Sequence, residues 1–152
     1  MIKLVIIPFF FSLAFLSNIA FSLELTVDIQ KVKALDKKIM LELFFLTDEK
    51  SQHWGDIQLV EKKVVEFNSK LTFSHLDEGW YAIRVFQDIN NNGILDKSTS
   101  DIPIEPVGFS ANPSLFGGEP SPEDSAIMLV SDMIVSISLK HRKVRKKRKK
   151  FH

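Results

Sequence analysis

The chain of 152 residues contains no cysteine, which excludes disulfides, thiolate zinc sites, cysteine nucleophiles and lipid attachment at a cysteine. It has one tyrosine against 13 phenylalanines. Phenylalanine has no polar handle, so most of these rings belong in a core or in an apolar leader. Recurrent catalytic signatures are missing as well: there is no G-x-S-x-G, no H-E-x-x-H, no phosphate-cradling glycine loop and no G-x-G-x-x-G. The four histidines (His53, His75, His141, His152) are scattered, and surface loop or strand-edge positions are expected for the first two. No window of useful length carries a 3.6-residue apolar stripe.

What is present is the composition of one ordinary globular domain, 45% apolar and 26% charged. The net charge of +1 conceals an asymmetry: residues 23–139 hold all 19 acids but only 10 of the 20 bases, and residues 140–152 hold nine bases and no acid. An acidic body thus carries a basic tail. Residues 1–22 read as a secretory signal peptide. Lys3 supplies the positive start, residues 4–16 the apolar run, and Ala20-Phe21-Ser22 the small residues for cleavage after Ser22. The run is shorter than the roughly 20 apolar residues that span a bilayer. The mature chain is expected in the periplasm or outside the cell.

Period-2 alternation dominates residues 23–139. Leu25, Val27 and Ile29 alternate with Thr26, Asp28 and Gln30, and Ile39, Leu41, Leu43 and Phe45 alternate with Met40, Glu42 and Phe44. Residues 65–67 and 71–73 are short candidates around an Asn68-Ser69 turn. Residues 80–87 are apolar on both faces apart from Arg84. Residues 126–130 and 135–139 complete the set. The pattern predicts an all-β fold, a single antiparallel β-sandwich of about seven strands, with long irregular stretches at 47–58 and 90–125. Leu76, Gly79 and Tyr81 resemble the "L-x-x-G-x-Y" corner of transthyretin-like sandwiches, in which the glycine makes the turn and the tyrosine locks it. Transthyretin-like and immunoglobulin-like arrangements are both compatible.

Asp88-Ile89-Asn90-Asn91-Asn92-Gly93-Ile94-Leu95-Asp96 has the spacing D-x-N-x-N-G-x-L-D. Calcium takes 6–8 oxygens from carboxylates, amides, backbone carbonyls and water. Asp88, Asn90 and Asn92 place side-chain oxygens at alternate positions, Ile94 lends a carbonyl, and Asp96 ligates directly or through water. Thr99 stands where an EF-hand has its bidentate Glu, so Asp101 or Glu105 would have to fold back. The plainer reading is a polar turn whose Asn and Gly residues tolerate positive φ. A small hydrolase, glycan- or ester-directed, using loop carboxylates is the alternative function, although no sequence feature marks a cleft. Phe109, Leu115 and Phe116 either touch a ligand or tuck the loop onto the sandwich.

Tyr81 to Asp88, followed by Asn90, Asn92, Gly93, Leu95 and Asp96, then Ile102-Pro103-Ile104-Glu105, Gly108-Phe109-Ser110 and Pro120-Ser121, resembles a family of exported bacterial proteins catalogued as domain of unknown function 2141. The resemblance implies a secreted sandwich domain with a shared polar loop and implies no activity. Gln87 stands where that family usually has His, Asp101 where it often has Gly, and Pro106 where Gly is usual. A metal or catalytic role resting on that His does not carry over.

In the tail, Lys140, Arg142, Lys143, Arg145, Lys146, Lys147, Arg148, Lys149 and Lys150 lack the interleaved aromatics of a base-stacking site. The tail is too charged to fold alone. Its expected partner is an anionic envelope polymer or membrane surface, not a specific nucleic-acid sequence. The alternative is a solubilising extension lying against the acidic body. The sequence therefore predicts a non-catalytic exported binding or structural module, a candidate for calcium stabilisation, whose protein or glycan partner is unspecified.

Overall fold

The computed structural model describes residues 22–32, 36–47, 53–65 and 70–141. The predicted leader (apart from Ser22) and the tail from Arg142 onward lie outside the described residues. Eight strands follow in order: β1 (Leu23–Gln30), β2 (Lys38–Leu46), β3 (Gln58–Val65), β4 (Lys70–Leu76), β5 (Gly79–Asp88), β6 (Val107–Phe109), β7 (Ala126–Leu129) and β8 (Met133–Ser138). A 3-10 turn at Glu123–Ser125 leads into β7. One sheet has the order β4-β1-β8, and the other runs β3-β2-β5-β6 with β7 also on β5. The all-β sandwich is as expected, with eight strands instead of seven.

Alternation explains the core. Leu25, Val27 and Ile29 of β1 face Leu41 and Leu43 of β2, Ile83 and Val85 of β5, Phe73 and Ile137 in one buried cluster. Burial of apolar area at about 25 cal/mol per Å² is the main force holding the two sheets together. Not every neighbour is antiparallel, however: β1 and β8 run parallel, from Leu25 against Met133 to Gln30 against Ser138. A parallel pair cannot be joined by a hairpin, and here five strands of chain in the opposite sheet lie between the two. At the predicted corner, Tyr81 donates its hydroxyl to the Asp77 carbonyl at 3.0 Å. Burial, then the Asp77 charge, push that hydroxyl above its usual pKa of 10.0, against the opposing effect of the hydrogen bond. Gly79 plays a different part from the one expected. The positive φ falls on His75 (61°), and a Cβ on Gly79 would lie 2.6 Å from the Phe45 ring. Glycine is there to admit Phe45, whose ring meets Tyr81 edge-on at 5.3 Å.

β6 and β7 share one flank of β5: Arg84–Phe86 pair with β6 and Gly79–Ala82 with β7. Ser110 fills the step between them. Its backbone N–H donates to the Ile83 carbonyl at 3.0 Å, its hydroxyl accepts from the Ile83 N–H at 2.8 Å, and that hydroxyl donates to the Ser125 carbonyl. Ser110 is fully buried. Ser110→Ala leaves two buried backbone groups without partners and is expected to cost about 1–3 kcal/mol, read from the urea midpoint. A loss below about 0.5 kcal/mol would show that the hydroxyl is dispensable.

Over β2, β5 and β6 the outer face of the larger sheet is covered. Met40, Phe86, Val107 and Phe109 form a second buried cluster, against which Trp54, Leu95 and Leu115 pack. The long segment after β5 supplies the cover. Phe109 is therefore one of the residues that tuck this segment down, Leu115 packs against the same cluster, and Phe116 stands out in solvent, 99% exposed. His53 and His75 are exposed, as expected.

Candidate functional site: the bend after β5 and the charged chain beside it

β5 ends on Asp88, which is buried and opens the predicted bend. Its two carboxylate oxygens accept from the N–H groups of Asn92 (3.1 Å) and Gly93 (2.8 Å). Asn90 Oδ1 accepts from the Asn92 N–H at 3.1 Å, and Asn92 Oδ1 from the Ile94 N–H at 3.0 Å. These are successive Asx turns, in which a short polar side chain bonds the backbone two residues on. They curl the segment, with positive φ at Asn91 (61°) and Gly93 (77°). Across the curl, the amides of Asn90 and Asn92 donate to the two oxygens of Asp96, at 2.6 and 3.0 Å.

The bend is then closed from behind. The Ile104 N–H donates to the Asp96 carbonyl and the Ser98 N–H to the Ile102 carbonyl, a short return that carries Glu105 back. Glu105, also buried, accepts from the Ile89 N–H at 2.8 Å with one oxygen and from the Asp96 N–H at 3.1 Å with the other. One carboxylate thus staples both ends of the bend. Of the seven residues expected to ligate a cation, Asp88, Asn90, Asn92, Ile94 and Asp96 share the bend, and Glu105 folds back as a brace. Asp101 stands apart at the tip of the return, paired with Lys97 at 3.2 Å. Among the described residues no three His, Cys, Asp or Glu side chains gather as a metal-holding group. Asn90 and Asn92 turn their amide N–H groups to Asp96, and their oxygens accept from backbone N–H groups, so a hard cation beside Asp96 would need both amides to turn over before their oxygens could join the carboxylate, which calls for weak binding.

Beside the bend runs a chain of alternating charges that sequence reading does not assemble. Lys62 donates to the Gly93 carbonyl at 2.7 Å and pairs with Glu42 at 3.0 Å. Glu42 pairs with Arg84 at 2.7 Å, and Arg84 with Glu119 at 2.9 Å. Glu119 binds Lys97, which reaches Asp101. Burial works against the charge on Lys97. The hydrogen bond and attraction of Glu119, then those of Asp101, outweigh it and hold its pKa above the ordinary 10.5. The register places Glu42 directly opposite both Lys62 and Arg84. Trp54 lies over the Arg84 guanidinium at 5.1 Å, and its indole N–H donates to the Pro120 carbonyl at 2.8 Å. The available signals were the lone Arg84 in an apolar strand and the Glu42 facing away from the core.

Two depressions flank this layer. A polar one of about 430 Å³ is lined by His53, Trp54, Lys97, Asp101, Glu119 and Ser121, among others. An apolar one of about 220 Å³ is lined by Ile102, Pro103, Glu105, Val107, Leu115, Lys140 and His141. Of the basic tail, the described residues include Lys140, whose backbone pairs with Val107 at 2.8 and 3.1 Å and whose ammonium donates to the Pro113 carbonyl. The other tail bases lie outside them.

No curated protein matches the chain. Residues 27–137 match the model of a family described as "Uncharacterized protein conserved in bacteria" (DUF2141). That span covers both sheets, the bend, the brace and the charged chain, and this protein is a member of that bacterial family.

Proposed function

We propose that the protein is an exported, non-catalytic binding module of the bacterial envelope, with a calcium ion stabilising the bend and the basic tail holding the domain to an anionic surface. The observation that carries the reading is how the buried acids are used. Asp88, Glu42, Glu105 and Glu119 each have both carboxylate oxygens engaged by protein donors. A hydrolase acting through loop carboxylates needs one carboxyl able to exchange a proton with substrate; these four are struts. The case for calcium is the curl itself, which turns the side chains of Asn90 and Asn92 toward Asp96. An ion there would take over the role of the two amide N–H groups that now hold that carboxylate.

Calorimetric melting in calcium and in EDTA tests the cation. With a dissociation constant of about 10⁻⁴–10⁻³ M, about 10 mM calcium should add about 1.4–2.7 kcal/mol, raising the melting temperature by several degrees. Asp96→Asn, at a half-buried position, should abolish the response; because it also turns an amide N–H toward one of the two donors on that carboxylate, its EDTA melt should lie somewhat below that of the parent. Superimposable melts of the parent protein in the two solutions would reject the calcium reading.

A further inference from the structure

We propose that the apolar depression beside the C-terminus, together with Phe116, is a docking surface for an anionic phospholipid bilayer. This rests on the reading of the basic tail as a tether, and it names the partner as a lipid membrane and not a soluble polyanion.

Three observations carry the proposal. The depression of about 220 Å³ has walls of Ile102, Pro103, Val107 and Leu115. Ile102 is 39% exposed. The Glu105 carboxylate that also lines it is bonded on both oxygens to backbone N–H groups, so neither oxygen is left unpaired toward the hollow. Next to Leu115, Phe116 occupies the tip of a turn closed by the Gly118 N–H on the Leu115 carbonyl. Positive φ at Gly117 and Gly118 carries the chain away sharply and leaves the ring projecting. An isolated exposed apolar residue is unremarkable on a protein surface. Here its chain neighbour Leu115 lines an apolar hollow, and an exposed ring one residue from such a hollow points to an interaction surface.

The third observation is charge. Lys140 and His141 line the same depression, and the chain beyond His141 carries eight Lys or Arg in its 11 residues. The described chain therefore ends, at His141, on the wall of the apolar depression. Cations alone suit any polyanion. Cations beside a projecting Phe and an apolar hollow suit the boundary of an anionic bilayer, where the ring enters the acyl region and the bases remain among the phosphates. Two weak signals together are what stable but reversible membrane attachment requires.

The test uses residues 23–152, which include every described strand, in co-sedimentation with vesicles of phosphatidylglycerol and phosphatidylcholine or of phosphatidylcholine alone. The parent should bind the anionic vesicles and bind phosphatidylcholine far less. Ending the chain at His141 should remove the binding. The double variant Phe116→Ser/Ile102→Ser should lower partitioning about tenfold, in line with the apolar area withdrawn from the bilayer. In Phe116→Trp the added emission should shift to the blue on anionic vesicles. Partitioning unchanged by the double variant, with complete release in about 1 M salt, would overturn the docking surface and leave the charge tether standing. Failure of the parent to bind anionic vesicles would overturn both. Retention by a soluble polyanion without vesicle binding, or an apolar hollow filled by the chain's own Val144 or Phe151 and insensitive to lipid, would overturn the membrane assignment.

Discussion

Glu105→Ala is expected to cost about 3–5 kcal/mol, a large part of the stability of a domain this size. Both oxygens of the buried carboxylate accept from backbone N–H groups, one at each end of the bend. Hydrogen bonds to a charged acceptor contribute about 1.5–3 kcal/mol each, and removing the acceptor takes both from part-buried donors. Glu105→Gln is a sharper probe. It keeps one carbonyl oxygen and turns an amide N–H toward the second donor, so at most half of the loss should be recovered. Guanidinium unfolding of the three proteins would show this order, and a Gln variant as stable as the parent would mean that the carboxylate does not span the bend. Because the brace holds Asp96 in place, the Ala variant should also lose the calcium response.

The charged chain yields the second large effect. Arg84 joins Glu42 and Glu119, whose side chains are 8% and 4% exposed. Arg84→Met would leave both acids buried without their shared cation and should cost about 3–5 kcal/mol. Arg84→Lys should rescue little, because a single ammonium cannot reproduce the fork that reaches two carboxylates. The decisive variant is Glu42→Gln/Arg84→Met/Glu119→Gln. Removing the three charges together leaves no buried acid short of its cation, and Lys62 and Lys97, which lose a partner, are more open to water, so the triple variant should be more stable than Arg84→Met alone. If the three losses simply add, the chain is not acting as one unit.

How much of this was legible depended on the distance over which each feature is encoded. β1, β2, β5 and β8 were visible because each buries a face, and Leu25-Val27-Ile29 or Ile39-Leu41-Leu43 spell that face at period 2. Alternation points to a strand at 65–67, of which Glu66 and Phe67 lie outside the described residues, and β3 is found at Gln58–Val65. It is an edge strand whose Leu59, Val60 and Val64 are exposed, so no buried face imposes a pattern. β6 is three residues long and exists because β5 offers a flank, which nothing in Val107-Gly108-Phe109 announces. The bend was readable for the opposite reason. Its Asx turns join residues two apart, so D-x-N-x-N-G spacing nearly determines them. Glu105 was named as a residue that folds back, but as a ligand; its distance from Ile89 and Asp96 is set by the return through Ser98 and Ile102. The charged chain draws on positions 42, 62, 84, 97, 119 and 101; the register of β2, β3 and β5 makes neighbours of the first three, and the course of the long segment after β5 brings the other three to them.

The parallel pairing of the first and last strands gives the molecule a polarity. β1 begins beside Leu76 and Met133 and ends beside Ser138, and His141 touches the carbonyl of Lys31 just past that end. An eight-residue strand spans about 25 Å, so Leu23 sits at one pole while Val107, Lys140 and the 88–96 bend gather toward the other. A label or fusion joined ahead of Leu23 would therefore leave the opposite pole unobstructed, whereas one joined directly after His141 would start beside it.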